Sequence, residues 1–253
     1  MKLRINCMQC FQEQGQPSLE FIPVEMRNDG LYSVTCSNGH TTITAIQQQK
    51  FEILFDLGAM ALLDGYPREA VMSMATALER FYEFYIKVIA LKHQVTDDAY
   101  LDTKKIASLS ERELGAFLYM YLIDHKNSCC PTIDDKQPDI KGISKNNTKT
   151  WKNFRNEVVH NGYIPSTEET LAYGNLIYQY IYGLIADLKE NSSEYIQQTI
   201  FKHLSRAHNI KKDLRVATMS IPTLISLSRG DTPPNLLEKA LESLVEYKKW
   251  LHH

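Results

Sequence analysis

Four chelating side chains stand in two tight pairs near the start of the chain. Cys7-Met8-Gln9-Cys10 is followed, 26 residues on, by Cys36-Ser37-Asn38-Gly39-His40. C-x2-C and C-x3-H are spacings with which two short turns can each grip one side of a tetrahedral ion. Gly39 lets the second turn tighten, because glycine tolerates positive φ. Between the pairs, FIPVEM and LYSVTC read as short strands separated by the turn Asn28-Asp29-Gly30. A segment of roughly 40 residues does not easily build a core without a staple. The pattern therefore predicts a zinc ribbon over residues 1–43 with the ligand set Cys7, Cys10, Cys36 and His40. The plain alternative is four ordinary residues in a small β unit. With four protein ligands the zinc has no open position, so it is expected to be structural rather than catalytic.

The two remaining thiols, Cys129-Cys130 in NSCCPT, have no second pair nearby and are read as incidental. An odd total of five cysteines fits a reducing compartment. MKLRINCMQC has no apolar signal core, and no apolar run approaches the roughly 20 residues that span a bilayer. A cytoplasmic protein with no membrane contact is expected. The formal charge is -2, so a nucleic-acid role would need a local basic patch.

Beyond His40 the periodicity turns helical, and the fold class expected is mainly α: a helical bundle preceded by the small β ribbon. Residues 42–64 place Phe51, Leu54, Phe55, Gly58, Met60, Ala61 and Leu62 at helical spacing. Gly65 and Pro67 break the chain, and residues 67–93 form the longest helix candidate, with Val71, Met74, Ala75, Leu78, Tyr82, Tyr85 and Ile89 on one stripe. Mid-helix, Glu79 and Arg80 read either as groove-facing or as part of an ion pair. Ser110 is a plausible cap for a third helix. The polar, twice proline-broken residues 126–148 read as a loop. A fourth helix covers 149–160, and a fifth, capped by Ser166 or Thr167, runs to about Lys189. The tail has a helical stretch at 193–211, the β-leaning RVATMSIPTLISLS and a closing amphipathic helix at 234–252. The expected divisions are 1–43, 44–192 and a C-terminal helical extension, 193–253.

The fourth helix carries the chemistry. Asn156 and His160 are four apart and share a face, so Asn156 is expected to hydrogen-bond the His160 ring and fix its tautomer. Arg155 lies about 140° from His160 around the axis and about 7.5 Å along it, within the swing of a long side chain. Phe154 and Val158 anchor the opposite side, and Asn161 or Gly162 supplies a left-handed stop. A histidine can take the 2′-hydroxyl proton of RNA or protonate the departing 5′-oxygen, and an arginine can hold the phosphate and stabilise added charge, with no metal required. From Lys141 to Tyr163 five basic residues (Lys141, Lys145, Lys149, Lys152, Arg155) face Glu157 alone. Lys149 and Lys152 are candidate phosphate contacts. Trp151 and Tyr163 are candidate stacking faces.

Arg155-Asn156-Glu157-Val158-Val159-His160 resembles the ribonuclease motif of the HEPN superfamily: arginine, a polar residue, a few variable residues, then histidine. Asn161-Gly162-Tyr163, the restart at STEET, and Tyr66-Pro67-Arg68-Glu69-Ala70-Val71 leading to Ala77-Leu78-Glu79 are also similar to such proteins. The resemblance covers roughly 45–190. It implies a helical domain that pairs with a second copy, with Arg155, Asn156 and His160 as catalytic residues in a groove at a homodimer interface. It also implies metal-independent endoribonuclease activity, often leaving a 2′,3′-cyclic phosphate, and a role as a toxin or antiphage effector. An antitoxin or other regulatory partner would restrain such an enzyme. The alternative is a non-catalytic adaptor that dimerises or binds RNA, with the ribbon binding a partner.

Overall fold

The computed structural model describes residues 2–16, 20–106, 109–126, 128–130, 132–133, 136, 150–209, 215–229 and 236–252. These form two compact units. One comprises residues 1–49, 197–222 and 246–253; the other comprises 50–196 and 223–245. Of the tail, residues 197–222 and 246–253 fall in the first unit and 223–245 in the second.

In the first unit, β1 (Lys2–Asn6) pairs antiparallel with β2 (Phe21–Glu25), and β3 (Leu31–Thr35) pairs antiparallel with β4 (Thr41–Ile46). The Asn28-Asp29 turn is present, but the strands on either side of it take different partners. Residues 42–46, expected at the start of a helix, are strand β4. Thr41, Thr42, Ile43 and Thr44 are β-branched in sequence, which favours a pleated surface over a helix. Strand β5 (Arg215–Met219) adds to β4 in parallel, with Ile43 opposite Val216 and Ala45 opposite Thr218. Ile43 and Ala45 pack with Ala207, Leu31, Leu204 and Val216 into a small core. Met8–Gln14 forms a short helix, α1, closed by Gly15.

The second unit is helical. Helix α2 (Lys50–Leu63) packs along α3 (Pro67–Lys92), which opens with proline in its first turn. Gly58 allows the close approach: a Cβ there would lie 2.7 Å from Met74 Cγ and 3.0 Å from the Ala70 carbonyl oxygen. Gly174 receives the same Met74 side chain, with a Cβ only 2.8 Å from its sulfur. The aromatic interior includes edge-on Phe51 and Phe81 and the stacked pair Tyr82 and Phe117. An additional helix, α4 (Asp97–Ile106), precedes α5 (Ser110–His125). Ser110 lies inside α5 rather than capping it; the cap position is Leu109. Arg80 pairs with Glu83 at 2.6 Å and with Glu113 at 2.8 Å, and Lys104 also reaches Glu83. Arg80 thus joins helices instead of facing a groove.

Helix α6 is Trp151–His160, and α7 (Thr167–Ser205) merges two expected helices across a break at Ser192, whose φ of -149° is not helical. Ser166 and Glu169 form a reciprocal cap: Glu169 N–H donates to Ser166 Oγ at 3.1 Å, and Ser166 N–H donates to Glu169 Oε2 at 2.7 Å. Two carboxylates one turn apart on α2 hold the irregular segment that follows Pro222. Asp56 Oδ1 accepts the Leu224 N–H and Glu52 Oε1 accepts the Leu227 N–H, each at 2.9 Å. Helix α8 (Leu237–His252) closes the chain. No described helix is long and apolar enough to cross a membrane.

Candidate metal centre and the α6 site

Cys7 stands at the end of β1, and α1 starts immediately after it and carries Cys10. The turn between β3 and β4 carries Cys36 and His40. Gly39 sits at φ 79° and donates its N–H to the Cys36 carbonyl at 2.9 Å, while Cys36 N–H returns to the His40 carbonyl at 3.1 Å. Positive φ is what lets this turn fold back within three residues. One donor atom from each of Cys7, Cys10, Cys36 and His40 lies within 4.8 Å of all the others.

The closest approaches fit a single small ion. Cys10 Sγ lies 3.7 Å from Cys36 Sγ, and His40 Nδ1 lies 3.3 Å from Cys10 Sγ and 3.9 Å from Cys7 Sγ. Tetrahedral zinc, with bonds of about 2.3 Å to sulfur and about 2.0 Å to nitrogen, separates its ligand atoms by roughly 3.5–3.8 Å. The cluster can therefore hold a metal ion, and three soft sulfurs with one imidazole suit zinc. All three cysteines are buried.

A second layer surrounds the four donors. Asn38 Nδ2 donates to Cys10 Sγ at 3.3 Å. Glu20 receives the Ser37 N–H at 3.0 Å and the Ser37 hydroxyl at 2.8 Å, and the Ser37 backbone N–H bond holds the Glu20 carboxyl below its usual range. On the far side of the imidazole, His40 Nε2 lies 3.4 Å from Glu13 Oε2. The sequence reading passed over Glu13, Glu20 and Asn38. The only local signal was Glu13 three residues past Cys10, one helical turn along α1.

The second candidate site is α6. Thr150 Oγ1 caps its start by accepting the Asn153 N–H at 3.2 Å. At the other end, Asn161 and Tyr163 both donate backbone N–H groups to the Glu157 carbonyl. Gly162, at φ 73°, supplies the left-handed stop; Asn161 stays at φ -103°. Phe154 and Val158 are fully buried. His160 is exposed in the last turn, and Arg155 and Asn156 are half-buried. The expected Asn156–His160 hydrogen bond is not formed. Asn156 Oδ1 instead accepts Arg155 Nε at 3.2 Å and Nη2 at 3.1 Å. A five-donor guanidinium next door outcompetes an imidazole one turn away for a single oxygen. Among the described residues no hydrogen bond or ion pair engages the His160 ring.

The other expected contacts divide. Trp151 is only 6% exposed, wedged against Phe154 and Tyr173, so it is a core residue and not an open stacking face. An apolar ring next to a buried Phe is worth more in the core than in water. Tyr163 is half-buried, edge-on to Phe154, and donates its hydroxyl to Glu169 at 3.0 Å. Burial and that carboxylate push its phenol above the ordinary range. Lys152 is half-buried on α6. Lys149, like Lys141 and Lys145, lies outside the described residues. His125, unassigned from sequence, has both ring nitrogens occupied, one by the Tyr121 carbonyl at 3.0 Å and one by Asp187 at 2.9 Å, which is a structural tie.

Fold and site together define a mainly α protein with a small β unit bearing a Cys3His metal-binding knuckle. Compared with family models, curated proteins and solved structures, the chain matches none of them.

Proposed function

We propose that the protein is a metal-independent endoribonuclease of HEPN type, working as a homodimer with a structural zinc ion in its ribbon. The observation that carries this reading is the surface of α6. A histidine ring is exposed at the helix end, a guanidinium bonded to Asn156 stands five residues before it, and buried Phe154 and Val158 anchor the other side of the helix. In the reaction, His160 accepts the 2′-hydroxyl proton as the 2′-oxygen attacks phosphorus. Arg155 neutralises the extra charge on the phosphoryl oxygens. The P–O5′ bond breaks as the 5′-oxygen takes a proton from solvent water, and a 2′,3′-cyclic phosphate remains. Asn156 holds the guanidinium at its Nε edge and leaves other N–H donors for phosphate. Lys149 and Lys152 are proposed phosphate contacts, and Tyr163 can offer only its partly open edge to a base. A toxin or antiphage role, with a restraining partner, accompanies this reading.

The test is an RNA-cleavage assay with EDTA added at mixing. Arg155→Ala and His160→Ala should each abolish cutting while EDTA leaves the wild type active. Retained cutting in either variant overturns the assignment.

The burial of Trp151 favours a second reading, in which the helical unit is a non-catalytic dimerisation or RNA-binding adaptor and the ribbon recruits a partner. Expression of the wild type should then leave growth unchanged, whereas a nuclease should slow it in a manner that His160→Ala relieves.

A further inference from the structure

The surroundings of His40 extend beyond the four donor atoms. Its Nδ1 faces the thiols, 3.3 Å from Cys10 Sγ, while its Nε2 faces the Glu13 carboxylate at 3.4 Å. The carboxylate is itself held: its second oxygen, Oε1, accepts Gln9 Nε2 at 3.0 Å. Gln9 and Glu13 are four apart on α1, so they share a face, and Cys10 on the same helix is one turn before Glu13. One short helix therefore presents a thiol to the ion and a carboxylate to the far nitrogen of the imidazole that completes the ligand set. Gly15, at φ 71°, ends the helix immediately beyond, returning its N–H to the Phe11 carbonyl.

We propose that Glu13 is the positioning residue of the metal centre. It fixes His40 in the tautomer that carries its proton on Nε2 and offers the Nδ1 lone pair to the ion, and Gln9 orients the carboxylate for that task. The physical reason is general to imidazole ligands. A carboxylate on the remote N–H restricts ring rotation and makes the ligating nitrogen more basic, and losing such a partner commonly weakens metal binding about tenfold to hundredfold. Side-chain exposure of Glu13 is 50%, against 20% for His40, so replacing the acid removes its contact with the ring without opening a core cavity. A merely solvated surface glutamate would leave affinity untouched. The inference rests on the reading of Cys7, Cys10, Cys36 and His40 as a zinc site.

The experiment is zinc competition against a fluorescent chelator, using the full chain. Glu13→Ala should raise the zinc Kd about tenfold to hundredfold, and Glu13→Gln, which keeps an acceptor oxygen, should recover much of the loss. At saturating Co(II), Glu13→Ala should keep the wild-type thiolate charge-transfer and tetrahedral ligand-field bands, placing the defect in positioning and not in the ligand set. The cost should also vanish in a His40→Cys background, where no imidazole remains to orient. A Glu13→Ala chain that binds zinc within about twofold of wild type overturns the inference and leaves the zinc site standing, as does an equal loss in the His40→Cys background. A wild-type chain that takes up no zinc overturns the site itself.

Discussion

Asn156 spends its side-chain oxygen on the neighbouring Arg155, at 3.2 Å from Nε and 3.1 Å from Nη2, and leaves His160 untouched. The polar residue of the motif thus serves the arginine. On the proposed chemistry, Asn156→Ala should lower RNA cleavage about tenfold to hundredfold, because a guanidinium released from its tether is displaced from the phosphate by an ångström or more. Asn156→Asp retains the acceptor and should hold the guanidinium in place while partly neutralising it, giving a weaker KM with a smaller loss in kcat. Single-turnover rates separate the two. Equal activity in Asn156→Ala and wild type would detach Asn156 from the reaction.

Met74 fills the space left by two glycines on different helices. Gly58→Ala sets a methyl against backbone at Ala70 and Met74 as well as the Met74 side chain, so no rotamer change relieves it. A loss of about 1–3 kcal/mol is expected, the usual range for overpacking a filled core. Gly174→Ala meets only the flexible ends of Met74 and Leu237 and should cost less. Thermal or urea denaturation of both variants checks the order.

Asp56 is fully buried, and burial, with the Glu52 charge adding, pushes its carboxyl from 3.8 up to about 8, while the Leu224 N–H bond opposes the shift. The folded chain keeps a proton that the unfolded chain releases across this window. Stability from this group is therefore complete below about pH 4 and is lost as pH rises through about 8. Asp56→Asn keeps an acceptor for Leu224 and removes the titration. Urea midpoints measured from pH 5 to 9 should fall with pH more steeply in the wild type than in the variant. Parallel curves would refute the prediction.

Metal content gives a fourth test. Elemental analysis of the purified chain should find one zinc per molecule, abolished by Cys10→Ser and unchanged by replacing Cys129 and Cys130. Removal by a strong chelator should expose residues 2–46 to proteolysis, since three buried sulfurs at the ribbon's centre lose the ion that neutralises their charge.

The helical character of the chain, the two chelating turns and the short rod ending at Gly162 were legible without coordinates, because each is written in spacing over a few residues. Apolar positions three and four apart bury one face of a helix wherever it docks, and C-x2-C chelates from a single turn. What distant parts of the chain bring together was not legible. Strand β5 lies beside β4, and Asp56 bonds Leu224, 168 residues away. The same holds for Trp151, whose residue type suits a stacking face or a core equally well; its environment depends on Tyr173, from the next helix. Local pattern determined which elements form and which donors can chelate. Tertiary structure alone decided which faces close, which carboxylate reaches His40 and which partner Asn156 takes, because hydrogen bonds and burial depend on distance in space, and chain spacing specifies that distance only within one element.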